Sequence, residues 1–469
     1  MAVTAFRPVT TAPLAPPAVP LALPSAPTLL QRAWRKVRRR WQWRASRSGN
    51  QRLTLVSQFF PPDFAATGQL LNDLSARLAA QGQQVQVLTG MPAYAYTRSD
   101  AERLEFEPNR CIRRSRVSRF WPLRIRGRAV NGILFCLRIS LRLLRYSRRG
   151  DLILYTTEPP YLPLLGWLLH RLTRTPYLVL LYDLYPDVLV GLGVLQADHW
   201  LVRLWRQFNR WMVADAQQLI VLSEPMAERV RTHVPAAAAK LTVIPSWADP
   251  QQIRPCPKAS NWFVREHQLA DRFTVLYSGN QGRCHDLNTV VAAARLLRHD
   301  PNVLFLFIGD GPQHQRLLQL VHDWDLENCC FLPYQEFVDL PFSLAAADLA
   351  LVTLSAEAEG LVAPSKLYGH LAAGTPIAAV TSSTSYLRQL VERAGCGRWF
   401  ANGNAEDLAG WITELRADPR RAAAYGQAAR ALLKRTASPE ITTAQYLALI
   451  RQHLPAAKAA PATLALQME

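Results

Sequence analysis

The chain has few cysteines for its length and lacks the motifs that bind common nucleotide cofactors. It holds seven cysteines among 469 residues, and no two of them are spaced as CxxC. This usage predicts reduced thiols in a cytosolic compartment and no zinc site. No GxGxxG follows the first apolar strand and no GxxxxGK[ST] occurs, which argues against nicotinamide, flavin and P-loop nucleotide sites. GxSxG and HExxH are absent as well.

The chain also lacks an unbroken apolar run long enough to cross a bilayer. Residues 9–30 carry no charge, but six prolines between positions 13 and 27 exclude a continuous helix there. A basic block follows this stretch, which is the reverse of the order in a signal peptide. Residues 159–170 are apolar but too short to span. We therefore expect no membrane span and a cytoplasmic location.

Acidic residues are missing from two segments that carry the whole excess of positive charge behind the net charge of +19. Residues 29–48 hold eight basic side chains and residues 108–150 hold thirteen arginines. Such localised charge predicts a polyanionic partner, either membrane phosphate or nucleic acid. In residues 29–48 tryptophans and leucines recur at helical spacing among the arginines, which favours an amphipathic helix at a lipid headgroup interface over a solvated linker.

Length and hydrophobic pattern predict two facing α/β domains. Near-continuous Val/Ile/Leu runs alternate with helical segments, as in parallel strands buried on both faces, and the pattern restarts near residue 273. Each half is then a doubly wound, Rossmann-like domain, with a ligand cleft at the strand carboxyl ends. The predicted division is a disordered Pro/Ala-rich tail (1–28), a basic amphipathic segment (29–51), an N-terminal domain (52–248), a C-terminal domain (249–435), a helix packing back on the first domain (436–455) and a tail (456–469).

Two stretches of the second half suggest an anion site. SGNQGRCHD, residues 278–286, places Gly279, Gly282 and Arg283 directly before a helix, where free backbone N–H groups attract phosphate. A plain βα turn is the alternative. In EGLVAPSKLYGHLAAGTP, residues 359–376, Ser365 can cap a helix that begins near Lys366. A lysine in the first turn opposes the helix dipole unless an anion is bound there. Glu359 would then accept hydrogen bonds from neighbouring hydroxyls, the alternative being a surface acid and a surface lysine.

Two acids follow an apolar strand in the first half. In YDLYPD, residues 182–187, Asp183 and Asp187 come directly after the strand and are expected to face the cleft. Either of them could instead cap a helix, which is the commoner role of aspartate at such a position.

Several motifs in a fixed order resemble one enzyme family. FFPPDFAATG, YDLYPD, VIPSWAD, YSGNQGR, IGDGP and EGLVAPSKLYGHLAAGTP are similar to the motifs of family 4 glycosyltransferases of the GT-B fold, in the branch that builds bacterial exopolysaccharide and colanic acid. The resemblance covers residues 52–450 approximately. It implies a nucleotide-sugar donor in the second domain, an acceptor in the first, transfer with retention, and neither catalytic metal nor other cofactor. Gly68 would lie beside the donor diphosphate, where a side chain would obstruct approach.

The chain departs from the family pattern at the site. Many members place a ribose-binding Glu where Gly369 stands here, and Glu359 is a candidate for the preceding Glu, with Glu357 as a competitor. Relatives often carry Arg and Lys where Asn280 and His285 stand. Asp183 or Asp187 would replace a His found in many members.

These features together predict a retaining glycosyltransferase on the inner face of the plasma membrane. It would move sugar from a UDP- or GDP-sugar to a lipid-linked (polyprenyl diphosphate) saccharide in cell-surface polysaccharide biosynthesis, with catalysis by Asp183, Asp187 and Glu359. The arginine-rich segments would contact anionic lipid, and no nucleic acid is expected. A nucleotide-sugar 2-epimerase and a non-catalytic protein that binds nucleic acid or membrane are the alternatives.

Overall fold

The computed structural model describes residues 51–63, 65–92, 101–116, 125–146 and 151–454. The predicted Pro/Ala-rich tail, the basic helix at 29–48 and the C-terminal tail lie outside these residues. Within the described part the chain forms two parallel β-sheets, each flanked by helices, as the Val/Ile/Leu runs predict. We call each sheet with its helices the first and the second domain.

The first sheet has eight strands, in the order β3-β4-β2-β1-β5-β6-β7-β8. All neighbours are parallel except β3 and β4, which form an antiparallel edge. The strands are β1 Arg52–Val56, β2 Gln84–Gly90, β3 Leu104–Glu107, β4 Arg110–Ser115, β5 Asp151–Thr156, β6 Tyr177–Leu181, β7 Gln218–Val221 and β8 Leu241–Val243.

The second sheet has six parallel strands, in the order β11-β10-β9-β12-β13-β14. Every residue of β10, β12 and β13 is buried, because helices cover both faces of the sheet. The strands are β9 Phe273–Ser278, β10 Val303–Ile308, β11 Cys329–Leu332, β12 Leu349–Thr353, β13 Ile377–Thr381 and β14 Gly397–Ala401.

Fifteen α-helices connect and cover the strands of the described chain. None of them is both long enough and apolar enough to cross a bilayer. They are α1 Ala66–Ala80, α2 Ile125–Tyr146, α3 Leu162–Thr173, α4 Asp187–Gly191, α5 Trp200–Asp215, α6 Glu224–His233, α7 Trp262–Glu266, α8 Asn288–Leu296, α9 His314–Asp323, α10 Leu340–Ala345, α11 Lys366–Ala373, α12 Tyr386–Ala394, α13 Ala405–Ala417, α14 Pro419–Thr436 and α15 Pro439–His453.

The edge hairpin β3–β4 corrects part of the interpretation of the arginine-rich segment 108–150. Arg110 and Arg114 lie on β4 and are each only 6% exposed. Arg110 pairs with Glu107 at 2.8 Å, and Arg114 pairs with Glu105 across the hairpin. Because acids just upstream neutralise them, these two arginines hold the sheet edge together and do not contribute to a membrane surface.

The last helix returns to the first domain, as predicted. Arg77 of α1 lies 3.6 Å from Glu440 of α15, and the ring of Tyr446 meets Trp247 edge-on at 6.1 Å between centroids. Trp247 precedes the crossing between the domains and donates from Nε1 to Asp73 at 2.7 Å. The two domains are therefore joined by packed side chains as well as by the connecting chain.

A second contact between the domains lies at the carboxyl end of β6. The Leu184 N–H donates to the Leu361 carbonyl at 2.9 Å, and Asp183 and Val362 form an isolated antiparallel bridge. The segment after β6 thus lies against the loop that leads into α11. This contact places the acids of the first domain opposite Lys366 of the second.

Candidate active site

Two glycine loops at the carboxyl edge of the second sheet form the base of the site. Gly279 follows β9 with φ of 125°, and Gly309 follows β10 with φ of 122°, a region that disfavours side chains. A Cβ at Gly309 would clash with the Gly279 carbonyl, so the two loops pack backbone to backbone. The open side of Gly279 faces Lys366, whose Cε lies 3.6 Å from the position that a Cβ would occupy. The fold therefore brings together two predicted donor-binding residues.

Lys366 is the central cation of the site. It is the first residue of α11, and its Nζ donates to the Tyr277 hydroxyl and lies 3.8 Å above the Tyr277 ring. Among the described residues no carboxylate pairs with it, and burial lowers its pKa well below the usual value. An anion bound at this helix N-terminus would favour the charged ammonium form of Lys366, which the Tyr277 hydroxyl already orients.

His285 holds Lys366 from the other side. Its Nδ1 lies 2.7 Å from the Thr353 carbonyl and donates to it, so the unprotonated Nε2 faces Lys366 Nζ at 3.4 Å. Burial, followed by the charge of Lys366, lowers the pKa of His285 to about 3. His285 is therefore a neutral acceptor that orients the lysine, and it is not a free donor to a ligand.

The opposite wall of the cleft is acidic. Glu158 follows β5 and Asp183 follows β6, so both acids lie at the carboxyl ends of adjacent strands. The Thr67 hydroxyl, in the first turn of α1, donates to Glu158 Oε2 at 2.6 Å. Burial raises the pKa of Glu158 to about 7, with the charges of Asp183 and Asp63 adding to the effect and the Thr67 hydrogen bond opposing it. Burial raises the pKa of Asp183 to about 6.

Cys284 lies between the two walls. Burial raises the pKa of its thiol to about 11, the charge of Asp183 adds to this rise, and the charge of Lys366 opposes it. The pKa of the Cys284 thiol is thus affected both by Asp183 of the first domain and by Lys366 of the second, so Cys284 lies near both residues. The cleft therefore has two carboxylates on one wall and a buried lysine on the other.

Both halves of this cleft belong to known families of sugar-transferring domains. Residues 66–247 match the glycosyl transferase 4-like domain, and residues 261–432 match glycosyl transferases group 1. The chain is a glycosyltransferase of the GT-B fold.

Relatives of this glycosyltransferase cover most of its length. It is 29% identical over 341 residues to WbjE of Pseudomonas aeruginosa, named as a glycosyltransferase, covering 71% of this chain and 83% of that one. It is 24% identical over 406 residues to WcaI of Escherichia coli, named as a colanic acid biosynthesis glycosyl transferase, covering 84% and 98%.

Solved structures share the fold of the glycosyltransferase at lower identity. Sucrose-phosphate synthase from Thermosynechococcus elongatus superposes with a TM-score of 0.69 at 20% identity, covering 86% of this chain and 99% of that one. Anabaena HepE in complex with UDP and glucose superposes with a TM-score of 0.64 at 17% identity, covering 85% and 99%. At this identity the likeness concerns the fold.

Three other predicted residues of the glycosyltransferase make no side-chain hydrogen bond with Lys366 in the described structure. Ser365 precedes α11, but its hydroxyl makes no capping hydrogen bond, so the predicted cap is wrong. Arg283 is exposed in the loop between β9 and α8. Asn280 is also exposed, and its carbonyl accepts a hydrogen bond from the Tyr277 hydroxyl at 2.7 Å. That bond ties the loop to the residue that holds Lys366.

Two of the predicted glycines are explained by packing. A Cβ at Gly68 would lie 3.0 Å from the Phe60 backbone, so the absent side chain lets α1 approach the loop after β1. A Cβ at Gly369 would lie 3.0 Å from Leu344 Cδ1 of α10. Position 369 is thus too close to α10 for a longer side chain unless Leu344 moves. Since residue 369 is a glycine, the chain has no Glu at this position to bind a ribose.

Asp187 and Glu359 have different surroundings. Asp187 begins α4 and accepts a hydrogen bond from Arg206 of α5 at 2.6 Å, so its carboxylate is engaged in an ion pair and the structure gives no support to the predicted catalytic role. The Glu359 oxygens are buried and lie beside the Ser385 hydroxyl and the Tyr386 N–H. Burial raises the pKa of Glu359, and the nearby Ser385 hydroxyl and Tyr386 N–H partly oppose this. A buried carboxylate with only these two donors beside it has lone pairs left for the hydroxyl groups of a ligand.

Sequence reasoning missed Glu158, Thr67 and Tyr277. The signal for Glu158 was available, because it follows the apolar strand β5 just as Asp183 follows β6. The sequence around Thr67 and Tyr277 gives no comparable signal. Their roles are seen only from their contacts with Glu158 and Lys366, which are distant in the chain. Among the described residues no cluster of three or more His, Cys, Asp or Glu side chains could hold a metal ion.

Proposed function

We propose that the chain transfers a glycosyl group, with retention, from a nucleotide sugar to a lipid-linked saccharide in cell-surface polysaccharide biosynthesis. The observation that carries the proposal is Lys366, a buried lysine that faces the Gly279 loop and has no carboxylate partner among the described residues. The UDP and glucose bound to HepE and the colanic acid role in the name of WcaI support this substrate class.

The donor diphosphate would bind between Lys366 and the glycine loops. As the sugar–phosphate bond breaks, negative charge grows on the leaving diphosphate. The Lys366 ammonium and the N-terminal N–H groups of α11 stabilise that charge without moving, because Tyr277 and His285 already hold the lysine. We propose that these groups serve in place of a catalytic metal.

The acceptor would bind on the acidic wall. Glu158 and Asp183 accept hydrogen bonds from the acceptor's hydroxyl groups and orient one of them toward the anomeric carbon, on the same face as the leaving diphosphate. Delivery from that face gives retention, and the proton of the attacking hydroxyl passes to an oxygen of the departing diphosphate. The buried Glu359 carboxylate would accept hydrogen bonds from hydroxyls of the donor sugar.

We further propose that the enzyme works at the inner face of the plasma membrane. Its acceptor would be a polyprenyl diphosphate saccharide, and its donor a UDP- or GDP-sugar. The helices of the first domain that carry many arginines and almost no acids support this location.

The test is turnover of a panel of UDP- and GDP-sugars by the full-length chain, with an acid lipid extract of bacterial membranes as acceptor and EDTA present. We expect release of UDP or GDP that depends on the extract. Lys366→Met should lower the rate by at least about 100-fold, since loss of one preorganised charge-stabilising group costs about 3 kcal/mol. Lys240→Met, which removes a lysine bound to the Val213 and Ala214 carbonyls in the first domain, is the matched control.

The alternatives give different results. Conversion of the nucleotide sugar to its 2-epimer without acceptor would indicate an epimerase. No release and no stabilisation by any nucleotide would overturn the transferase proposal and favour a non-catalytic role of the arginine-rich segments.

A further inference from the structure

Three helices on one side of the first domain form a continuous surface. Trp167 of α3 stacks on Trp211 of α5 with 5.4 Å between ring centroids. Gly132 of α2 packs so closely on the Tyr161 hydroxyl, just before α3, that a Cβ there would clash. We call the surface of α2, α3 and α5 the apolar-basic face.

The crossover rule explains why these helices share a side. α2 belongs to the connection from β4 to β5, α3 to that from β5 to β6, and α5 to that from β6 to β7. All three connections therefore advance toward the β8 edge of the sheet. Right-handed connections then place them on one side and α1, which connects β1 to β2, on the other. The C-terminal helix α15 packs on α1. The apolar-basic face is therefore opposite the side that α15 covers.

Large apolar side chains are concentrated on this face. It carries eleven of the fifteen exposed ones in the described chain. The most exposed on each helix are Leu141 (69%), Leu172 (64%) and Trp200 (64%). A water-facing surface seldom gathers so many, and such a concentration is typical of an interaction surface.

The charges on the apolar-basic face indicate an anionic partner. The three helices contain nine arginines and a single acid, Asp215, which pairs with Arg171 at 2.6 Å. Exposed arginines such as Arg138, Arg203 and Arg210 lie among the leucines and tryptophans. Arginine with tryptophan and leucine suits the headgroup region of an anionic bilayer, since aliphatic groups enter the acyl boundary while guanidinium groups contact phosphate.

A groove between α3 and α5 is lined by residues that lie close along the chain to Glu158, or that contact a neighbour of Asp183. It has a volume of about 150 Å³ and is lined mainly by apolar side chains, among them Tyr161, Leu164, Leu204 and Trp205. Tyr161 lies three residues after Glu158, and Trp205 stacks on Tyr185, two residues after Asp183, with 6.0 Å between ring centroids. A cavity of about this volume in another protein holds one benzene molecule, so the groove has room for about one isoprenoid unit.

We propose that the apolar-basic face docks on an anionic bilayer and that the groove holds the first isoprenoid unit of a membrane lipid. The sugar carried by that lipid then reaches Glu158 and Asp183 while the rest of the chain stays in the membrane. The docking surface stands independently of the transferase activity, whereas the groove's occupant rests on the proposed function.

Docking is tested with the full-length chain and large vesicles, by co-sedimentation. Phosphatidylglycerol-rich vesicles are compared with phosphatidylcholine vesicles, at low and high salt. We expect the triple variant Leu141→Gln, Leu172→Gln, Trp200→Gln to bind the anionic vesicles at least about tenfold more weakly than the unaltered chain. The matched control is Leu296→Gln, Phe337→Gln, Val338→Gln, which changes three exposed apolar side chains of the second domain and should leave binding unchanged.

Two results would overturn the docking surface. The first is equal binding by the face variant and the unaltered chain, which would place any membrane contact elsewhere. The second is equal binding to the two vesicle types at both salt concentrations, which would remove the role of charge. Stabilisation by UDP or GDP, measured by thermal shift in every variant, shows whether the fold and the donor site are retained.

The groove is tested with farnesyl monophosphate, a soluble isoprenoid, with inorganic phosphate as the reference. Leu204→Trp fills the groove and keeps the face apolar. We expect it to weaken farnesyl phosphate binding at least about fivefold in calorimetry, without changing vesicle binding or nucleotide affinity. Unchanged farnesyl phosphate binding would overturn the groove assignment. Because neither measurement uses turnover, failure of the transferase proposal would be seen separately.

Discussion

Lys366 Nζ lies 3.4 Å from Nε2 of His285, whose other nitrogen donates to the Thr353 carbonyl at 2.7 Å. With its pKa lowered to about 3, the imidazole stays neutral at physiological pH. A carboxylate in that place would orient the lysine and also neutralise it. A neutral histidine orients the ammonium and leaves its charge for the ligand, so the arrangement suits the binding of an anion that enters and leaves.

His285→Phe should therefore weaken binding of the nucleotide diphosphate by about tenfold, because Lys366 loses one of its two orienting acceptors. That factor corresponds to about 1.4 kcal/mol, near the net value of one charge-assisted hydrogen bond. Calorimetric titration with UDP and GDP measures it.

The conservative variant separates orientation from packing. His285→Gln retains an acceptor and should bind nucleotide more tightly than His285→Phe. The pH profile of binding between pH 5 and 8 should be the same in the unaltered chain and in His285→Phe, since His285 does not titrate there. A histidine-dependent change of affinity near pH 6.5 would contradict this account.

We expect the turnover rate to depend on pH through the ionisation of Glu158. With a pKa of about 7, Glu158 is largely protonated below that pH and cannot then accept a hydrogen bond from the acceptor hydroxyl at both oxygens. The rate should rise with pH through about 7. Glu158→Gln should lower the rate by about 10- to 100-fold and remove this rise, leaving the inflexion of Asp183 near pH 6. An unchanged profile in Glu158→Gln would exclude the carboxylate from the acceptor site.

Because its pKa is raised, the ionised Glu158 carboxylate should lower the free energy of unfolding at alkaline pH. The folded state binds the Glu158 proton more tightly than the unfolded state, so the free energy of unfolding falls as pH rises from the unfolded pKa through about 7. Glu158→Gln should raise the free energy of unfolding at pH 8 by about 1–2 kcal/mol, allowing for partial exposure of the side chain, and change it little at pH 4. Denaturant titrations at the two pH values test this, and a less stable variant at pH 8 would contradict it.

Gly309 should tolerate no side chain. Gly309→Ala would force a Cβ against the Gly279 carbonyl at φ of 122°, at a cost of at least about 2 kcal/mol, and would displace the loop that faces Lys366. Reduced nucleotide affinity is expected together with a lower melting temperature. Gly403→Ala is the control, because its φ is 85° but no atom lies within 4 Å of the added Cβ. It should lower the melting temperature less and leave nucleotide binding intact.

Arg77 should contribute to the domain connection mainly through one of its partners. It lies 2.6 Å from Asp249, where both side chains are about a quarter exposed, and 3.6 Å from Glu440, which is 69% exposed. Double-mutant cycles of Arg77→Met with Asp249→Asn should give a coupling of about 1 kcal/mol, and with Glu440→Gln less than about 0.5 kcal/mol. Equal couplings would show that exposure does not decide the strength of these pairs.

Local pattern was sufficient to predict much of the fold. Strands such as VLFLFI and LALVT are apolar without alternation, which occurs when both faces of a sheet are covered, and this predicts parallel sheets. Lys366 as the first residue of a helix was likewise predicted from the residues around it, since Pro364 and Gly374 mark the bounds of that helix. These features depend on neighbours in the chain, so periodicity and turn residues reveal them.

The tertiary structure alone decided the partners of the charged side chains. Arg206 engages Asp187, Glu107 neutralises Arg110, and Glu158 becomes the neighbour of Asp183 because β5 and β6 are adjacent. Tyr277 and His285 come to hold Lys366 from positions more than eighty residues away in the chain. Electrostatic and hydrogen-bond partners are selected by distance in space, which no short-range pattern encodes. The sequence by itself determined the sheets and the loops at their edges, and packing determined which of those loops became a site.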